Sequence, residues 1–452
     1  LAEKEVAQHR WGKRSSLRAL PAQGRKGLDL AKGRPARASG AGAMFCAATT
    51  PGRPRRPSLP LRPVSRRLMS RTFAIALIGQ KFMGRAHSNA WSQAARFFDL
   101  GLTPLLHTVS AREPRELEQF AERWGWLNTT TDWRDIVGYD DIELVDIGTP
   151  NHVHAEPAIA MLEARKHVAC EKPLAGTLDD ARAMAKAARQ AARRGVKTFV
   201  WFNYRRCPAI ALAQRLVREG KLGAIRHVRA HYLQDWGGPA TPLSWRFQRK
   251  LAGSGAHGDL NAHSVDLARF LVGEEVTEVH GALARTFVHE RPLPDAPRKR
   301  GKSDVDDCVL FLASFAGGAT ASFEASRLAP GHQNDNSIEL NGEKGSLRFS
   351  FENMNVLEFC EVSDKRTDGW KRIMCTAAGQ HPYAAAWWPD AHVLGYEHGF
   401  VNMAADILRV LDGQAPEAPL PDFEDAYQTQ RVLEAALLSA RERCAIKLAE
   451  VK

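Results

Sequence analysis

The run "VACEKPLAG" (168–176) puts a carboxylate, an amine and a proline ring, Glu171, Lys172 and Pro173, at the end of a short apolar stretch. An amine withdrawn from water there is unfavourable unless it has a partner or a task. Proline ends a strand and fixes the turn that follows. Lys172 would thus be presented at the carboxyl end of a buried strand, with Glu171 beside it to accept hydrogen bonds. A second pair of capable residues lies in "GSGAHGDLNAHSVDL" (253–267), where Asp259 and His263 stand four residues apart. On a helix that spacing shares one face. Carboxylate, imidazole and amine are the groups that move protons between reacting atoms. Taken alone, "EKP" also reads as a surface turn and His263 as a hydrogen-bonded core histidine, so the surrounding elements must decide.

Those elements alternate. "FAIALIGQKFMGRAHSNAW" (73–91) reads strand, tight turn, helix, with the helix expected from about Gly84. Its strand is wholly apolar, as a central parallel strand is. Gly79 and Gly84 match the first and last glycines of G-x-G-x-x-G, and Lys81 replaces the middle one. This is the place for a pyrophosphate over a helix N-terminus. "LLHTV" (105–109) is a second strand, and "EPRELEQFAERWG" an amphipathic helix ending at Gly125. Strand, loop, helix and strand follow between Ile142 and Pro173. Such alternation predicts an α/β, Rossmann-type doubly wound parallel sheet. The loop "TPNHVH" (149–154) and the "EKP" segment both leave carboxyl ends of strands, the edge at which such sheets bind ligands. After the second strand, where a carboxylate often grips the ribose of NAD, stand Ser110, Ala111 and Arg112. Serine and arginine suit a 2′-phosphate and tilt the reading toward NADP.

Past "KTFVWFNYRR" the apolar period becomes two. "IRHVRAHYL", "VTEVHGALARTFV", "VDDCVLFLASFA", "ATASFEASR" and "SIELNGEKGSLRFSF" predict a half-buried, mostly antiparallel sheet. "PLPDAPRKRGKSD" (292–304) reads as a polar loop between strands, and two C-terminal helices close the chain. "HPYAAAWWPDAHVLGYEHGF" (381–400) is rich in aromatics and histidines. It suits carbohydrate contact and equally rim packing under a long loop. Its irregular histidine spacing predicts no metal site.

Together these pieces resemble the glucose–fructose oxidoreductase / inositol dehydrogenase / MocA family (Gfo/Idh/MocA) from about residue 72 onward. The likeness rests on "GQKFMGRAHSNAW", "TPNHVH", "EKPLAGTLDDARAM", "NYRRCPAI", "GKLGAIRHVRAHYLQDW", "WRFQRKLAGSGAHGDLNAHSVDLARFLVG" and "GYEH". The missing middle glycine departs from the usual fingerprint and bears on the phosphate contacts. The resemblance implies an oxidoreductase that takes NAD or NADP and oxidises a secondary alcohol of a sugar, sugar derivative or cyclitol. The branch implied is inositol- and anhydrosugar-dehydrogenase-like. It implies catalysis by Lys172, Asp259 and His263, with Tyr204, Asp259 and His263 facing the substrate. It implies cofactor contacts from Gly79, Phe82, Met83, Gly84, Ser110, Arg112, Thr149, Pro150, Asn151, His154, Glu171, Lys172, Trp245 and Arg246. Which of Lys172 and His263 is the principal base stays open at this stage. Two rivals use the same fold: a non-catalytic sugar or nucleotide sensor, and a glycosidase that oxidises its substrate transiently with bound NAD.

The chain has 452 residues and a net charge of +12. Residues 1–70 carry 16 Lys/Arg against 3 Asp/Glu, so the remainder is close to neutral. The basic character is therefore no nucleic-acid footprint. The Arg-, Pro-, Ala- and Gly-rich first segment is expected to be disordered. It reads as translated sequence upstream of a start at Met69, as a transit peptide, or as a twin-arginine signal. The expected divisions are 1–70 (tail), 71–196 (dinucleotide domain) and 197–452 (α+β substrate and oligomerisation domain). Seven scattered cysteines without CxxC spacing predict free thiols in a reducing compartment, hence a cytoplasmic protein. No apolar run approaches the ~20 residues of a membrane span. A homo-oligomer, dimer or tetramer, is expected from the family's open sheet.

Overall fold

The computed structural model describes residues 70–363 and 367–451. The tail expectations for residues 1–69 thus lie outside the described residues. The first apolar run forms β1 (Arg71–Ile78), whose residues from Phe73 onward are buried. It pairs in parallel with β2 (Leu102–Ser110) on one side and with β4 (Leu144–Ile147) on the other. With β3 (Asn128–Thr130), β5 (His167–Cys170) and β6 (Thr198–Val200) they build a six-stranded parallel sheet in the order β3-β2-β1-β4-β5-β6. The order reverses between β1 and β4, so the crevice for a ligand opens there.

Helices α1 (Phe82–Phe97), α2 (Pro114–Trp124), α3 (Ala155–Glu163) and α4 (Leu178–Ala192) connect these strands. Their ends follow local chemistry. Proline opens α2 and the left-handed Gly125 closes it, as fixed φ and absent Cβ favour. Thr177 caps α4 by accepting from the Asp180 N–H at 3.1 Å. Helix α1 begins at Phe82 rather than at Gly84. Gly84 therefore sits inside its first turn, where a Cβ would lie 2.3 Å from the Gly79 carbonyl oxygen. Gly79 itself holds φ +117°, and its own Cβ would lie 2.8 Å from Gly148 O. Both glycines are there because backbone packs on backbone at this turn.

Helix α5 (Pro208–Arg218) leads into a nine-stranded sheet. Its strands are β7 (Ile225–Leu233), β8 (Val276–Arg285), β11 (Cys308–Phe315), β12 (Thr320–Ser326), β13 (Asp335–Gly342), β14 (Gly345–Ser350), β15 (Val356–Glu361), β16 (Lys371–Met374) and β17 (Ile446–Lys447). The order is β16-β15-β14-β13-β7-β12-β11-β8-β17, antiparallel except for β7 beside β12. Two expectations are corrected. The stretch 292–304 is not a loop: β9 (Glu290–Leu293) and β10 (Ala296–Lys302) pair as a hairpin. Its mostly charged, exposed residues carry no apolar alternation, so the pattern hid it. "SIELNGEKGSLRFSF" is not one strand but the β13–β14 hairpin, turned at Glu343 and Lys344.

Helix α6 (Ala262–Val272) lies beneath this sheet. The closing helices α7 (Tyr396–Leu411) and α8 (Phe423–Glu442) return to the first sheet's helices, α7 against α1 and α8 against α4. Strand β6 lies beyond the expected border at 196/197, and we propose that the first domain ends after Val200. Replacing Gly84 by alanine should overpack the β1–α1 turn. We expect Gly84→Ala to lower the unfolding free energy by about 1–3 kcal/mol in chemical denaturation and to weaken NAD binding. An unchanged midpoint and affinity would show that the turn can open without loss.

Candidate active site

Lys172 leaves the carboxyl end of β5 with its side chain largely covered, and Glu171 before it is buried. The Lys172–Pro173 peptide bond is cis. Lys172 Nζ donates to Asp259 Oδ1 at 2.7 Å and to the Asp259 carbonyl at 3.0 Å. Two of the ammonium's three donors are thus taken and one is left for a ligand. The other Asp259 oxygen, Oδ2, accepts from the Arg327 guanidinium at 2.8 Å. Arg327 is 2% exposed and follows directly on β12. Burial pushes the Asp259 carboxyl up, but the charges of Lys172, Arg327 and Arg246 outweigh it and hold it well below the usual carboxylate range. Asp259 is therefore a fixed anion and a poor proton acceptor.

Asp259 sits in a π-helical turn, His257–Asn261, that runs into α6. π turns of this kind recur at functional sites. The glycines around it are demanded by contact: a Cβ on Gly255 would lie 1.8 Å from Asp306 O, and one on Gly253 2.0 Å from Gly176 O. Asp306 secures the start of the turn by accepting from the Gly255 and His257 N–H groups at 2.8 and 2.7 Å. Asp259 and His263 make no hydrogen bond to each other, though the Asp259 charge acts on the His263 ring. The π turn directs Asp259 to Lys172 and Arg327, while His263, in the first turn of α6, packs on Tyr204 with ring centroids 4.5 Å apart. Neither ring nitrogen of His263 has a hydrogen-bond partner among the described residues. Burial and the Lys172 charge push its pKa well below the ordinary histidine value, against the opposing pull of Asp259. His263 is therefore a neutral imidazole.

Around it runs a ladder of polar groups. Tyr204 and Tyr232 share a hydroxyl–hydroxyl bond of 2.8 Å, and Tyr232 donates to Asn334 Oδ1 at 2.7 Å. Gln234 Nε2 also donates to Asn334 Oδ1, and Trp236 Nε1 donates to Gln234 Oε1. Arg327, Asn334, Tyr232 and Tyr396 belong to this neighbourhood and were not assigned from sequence. The register that brings three of them together is long-range: Leu233 pairs with Ser326 on one side and Asp335 on the other. Tyr396 stacks on Phe82, the first residue of α1, at 6.3 Å.

Of the proposed cofactor residues, Gly79 and Thr149 lie just past the carboxyl ends of β1 and β4. Gly79 N–H donates to the Ser110 carbonyl at 2.9 Å. Lys81, the N-cap of helix α1, makes no side-chain cap, so the helix's first N–H groups are open. Gln80 Oε1 and Thr149 Oγ1 are buried there without a partner. Open donors at a helix N-terminus and the unpartnered Thr149 hydroxyl fit a dinucleotide phosphate, while Gln80 Oε1 can only accept. Met83 is half-buried, Phe82 and Arg112 are exposed, and Pro150 opens the loop helix after β4. Asn151 donates to Ala252 O at 3.1 Å, and the buried His154 ring lies 2.8 Å from Thr149 O and 3.2 Å from Leu174 O. Their side chains are committed to shaping the loop. Arg246 stacks on Trp245 at 4.6 Å and adds its charge at Asp259. In 381–400, Trp387 packs, 4.4 Å from the Phe97 ring and donating to Asn402, while Tyr396 stands in the site neighbourhood. Among the described residues no group of His, Cys, Asp and Glu could hold a metal ion, and no helix is long and apolar enough to cross a membrane.

Residues 73–199 match the model of an oxidoreductase family with an NAD-binding Rossmann fold, and residues 210–348 match the GFO/IDH/MocA C-terminal domain. Levoglucosan dehydrogenase of Pseudarthrobacter phenanthrenivorans is 39% identical over 380 residues, 81% of this chain and 95% of its own length. The chain belongs to the Gfo/Idh/MocA family. A solved structure, an oxidoreductase domain protein from Kribbella flavida, superposes with a TM-score of 0.80 at 50% identity, covering 84% of this chain and 99% of its own. A levoglucosan dehydrogenase in complex with NADH and levoglucosan superposes with a TM-score of 0.78 at 39% identity, covering 83% and 99%. The protein is thus an NAD-binding oxidoreductase of this family.

The electrostatics make a signed prediction. Histidine-selective NMR should find His263 neutral at pH 6.5, with a midpoint well below it. Lys172→Ala removes a depressing charge and should raise that midpoint, while Asp259→Asn removes a supporting one and should lower it. Shifts of the opposite sign would show that other charges control the ring.

Proposed function

We propose that this chain is an NAD(P)-dependent dehydrogenase that oxidises a secondary alcohol of a sugar, sugar derivative or cyclitol. The observation that carries the reading is the meeting of an ion-paired Lys172 with a neutral His263 at the carboxyl edge of the first sheet. When bound, the nicotinamide supplies the acceptor for the carbon-bound hydrogen and its electron pair. In this reading His263 takes the hydroxyl proton as the carbon is oxidised. The remaining Lys172 donor holds the reacting oxygen and stabilises the negative charge growing on it. Asp259, kept ionised, fixes the Lys172 ammonium and offers its free lone pairs to a neighbouring hydroxyl. The Tyr232–Asn334–Gln234 ladder suits a polyhydroxylated ring. The similarity to levoglucosan dehydrogenase supports trying anhydrosugars first as substrates. A homo-oligomer is supported by Leu283, Leu310 and Leu312, exposed side by side on the outer face of the second sheet.

For the cofactor, exposed Arg112 just past β2 supports NADP beside NAD. If it does so, Arg112→Ala should lower the ratio of NADP to NAD affinity, and an unchanged ratio removes the case for NADP. The reaction is tested by incubating levoglucosan, inositols and common sugars with NAD or NADP and following reduced-cofactor absorbance. Net reduction with at least one of them is expected, and Lys172→Ala and His263→Ala should each lower kcat by about 10²–10⁴-fold. Cofactor binding without reduction across the panel would favour a sensor; bond cleavage without net reduction would favour a glycosidase.

A further inference from the structure

His87 lies in the second turn of α1, wholly buried, and the proton-transfer chemistry proposed above makes no use of it. Its Nδ1 is 3.1 and 3.0 Å from the two oxygens of Asp146 on β4, and its Nε2 is 3.1 Å from Glu171 Oε1. Both carboxylates are already acting as acceptors on other donors. Asp146 takes the indole N–H of Trp91 at 2.7 Å and that of Trp201 at 2.8 Å. Glu171 Oε2 takes the backbone N–H of Lys172 at 3.0 Å. A neutral imidazole has one N–H and one bare nitrogen. A bare nitrogen facing an ionised carboxylate would leave two lone pairs opposed, so with Asp146 and Glu171 ionised both ring nitrogens donate. The ring lies over Trp201 at 4.2 Å, near Phe400 of α7, and cannot turn away to water.

We propose that His87 is a positioning residue: as an imidazolium between Asp146 and Glu171 it ties α1 to the strand end that presents Lys172. The chain of contacts is continuous, from Asp146 through His87 to Glu171 and on to the Lys172 N–H. Lys172 is therefore held from two sides, its backbone through His87 and its side chain through Asp259 and Arg327. The protonation state follows the same geometry. Burial alone would lower the ring's pKa, but Asp146 and Glu171 overcome it and raise it to about 9. Tyr396 of α7, also near Glu171, has its hydroxyl pushed up by burial and adds no charge. Cys170 on β5 carries a buried thiol pushed well above its usual value, and His154, near Glu171, is pushed down by burial. Because the folded value lies above the unfolded one of about 6.5, the link's stabilisation is complete below pH 6.5. It is lost as pH rises through about 9.

The inference rests on Lys172 serving the reaction proposed above, so its test has one arm that needs no substrate. Histidine-selective 15N NMR of the full chain with NAD bound should show both His87 ring nitrogens protonated at pH 7.5. The ring should titrate near pH 9, and Glu171→Gln should lower that midpoint. A bare ring nitrogen at pH 7.5, or a midpoint below about 6.5, overturns the proposal. In the second arm His87→Gln, shown by NAD affinity to be folded, should lose about 10²-fold in kcat with little change in the KM for the sugar. Glu171→Gln added to it should cost little more, because the two act as one unit. Full activity in His87→Gln, or losses that multiply in the double variant, also overturns it. A wild-type chain that turns over no sugar would end the dehydrogenase reading, while the NMR arm still decides the His87 link.

Discussion

One carboxylate holds the site together. Asp259 comes from the helical layer of the second domain, yet its two oxygens are bound by Lys172 at the edge of the first sheet and by Arg327 at the end of β12. Charge-assisted hydrogen bonds of this kind are shorter and stronger than neutral ones. Removing any member would leave charge stranded in a largely covered space. The arrangement also sets the division of labour. An anion gripped by two cations stays an anion, and a lysine with two donors spent keeps one for a ligand.

Much of the nearby backbone serves that contact. The π turn brings Asp259 across to β5, and the glycines of "GSGAHGD" let it approach Asp306 and Gly176 without side chains between. Asp306 then satisfies N–H groups that a helix start leaves open. On the opposite side, the committed side chains of Asn151 and His154 brace the "TPNHVH" loop against Ala252 and Leu174. The two halves of the molecule are therefore locked at the reacting edge by hydrogen bonds, while apolar contacts of α7 and α8 with α1 and α4 secure them farther away.

A buried cationic histidine between two carboxylates is uncommon because desolvation works against all three charges. It persists here because each carboxylate also receives neutral N–H donors and aromatic rings close the space around it. Such a cluster gives up stability relative to an apolar core and gains a defined geometry. That trade makes sense between a helix start and a strand end whose relative placement governs chemistry.

The amino-acid sequence alone determined the first sheet, because apolar parallel strands, glycine turns and amphipathic helices are local patterns that need no partner to be read. It also determined Lys172, since a charged residue closing an apolar strand before proline is visible along the chain. It pointed to Asp259 and His263 by spacing, though a regular helix was assumed and a π turn was found, because the wider turn depends on glycine contacts with distant Asp306. The charged β9–β10 hairpin escaped notice for want of apolar alternation. Arg327, Asn334 and Tyr232 could be placed beside the site only by the register of β12 and β13 on β7. The state of each titratable group was likewise decided only in three dimensions. Asp259, His263 and His87 owe theirs to burial and to charges far away in sequence, and no stretch of chain records those distances.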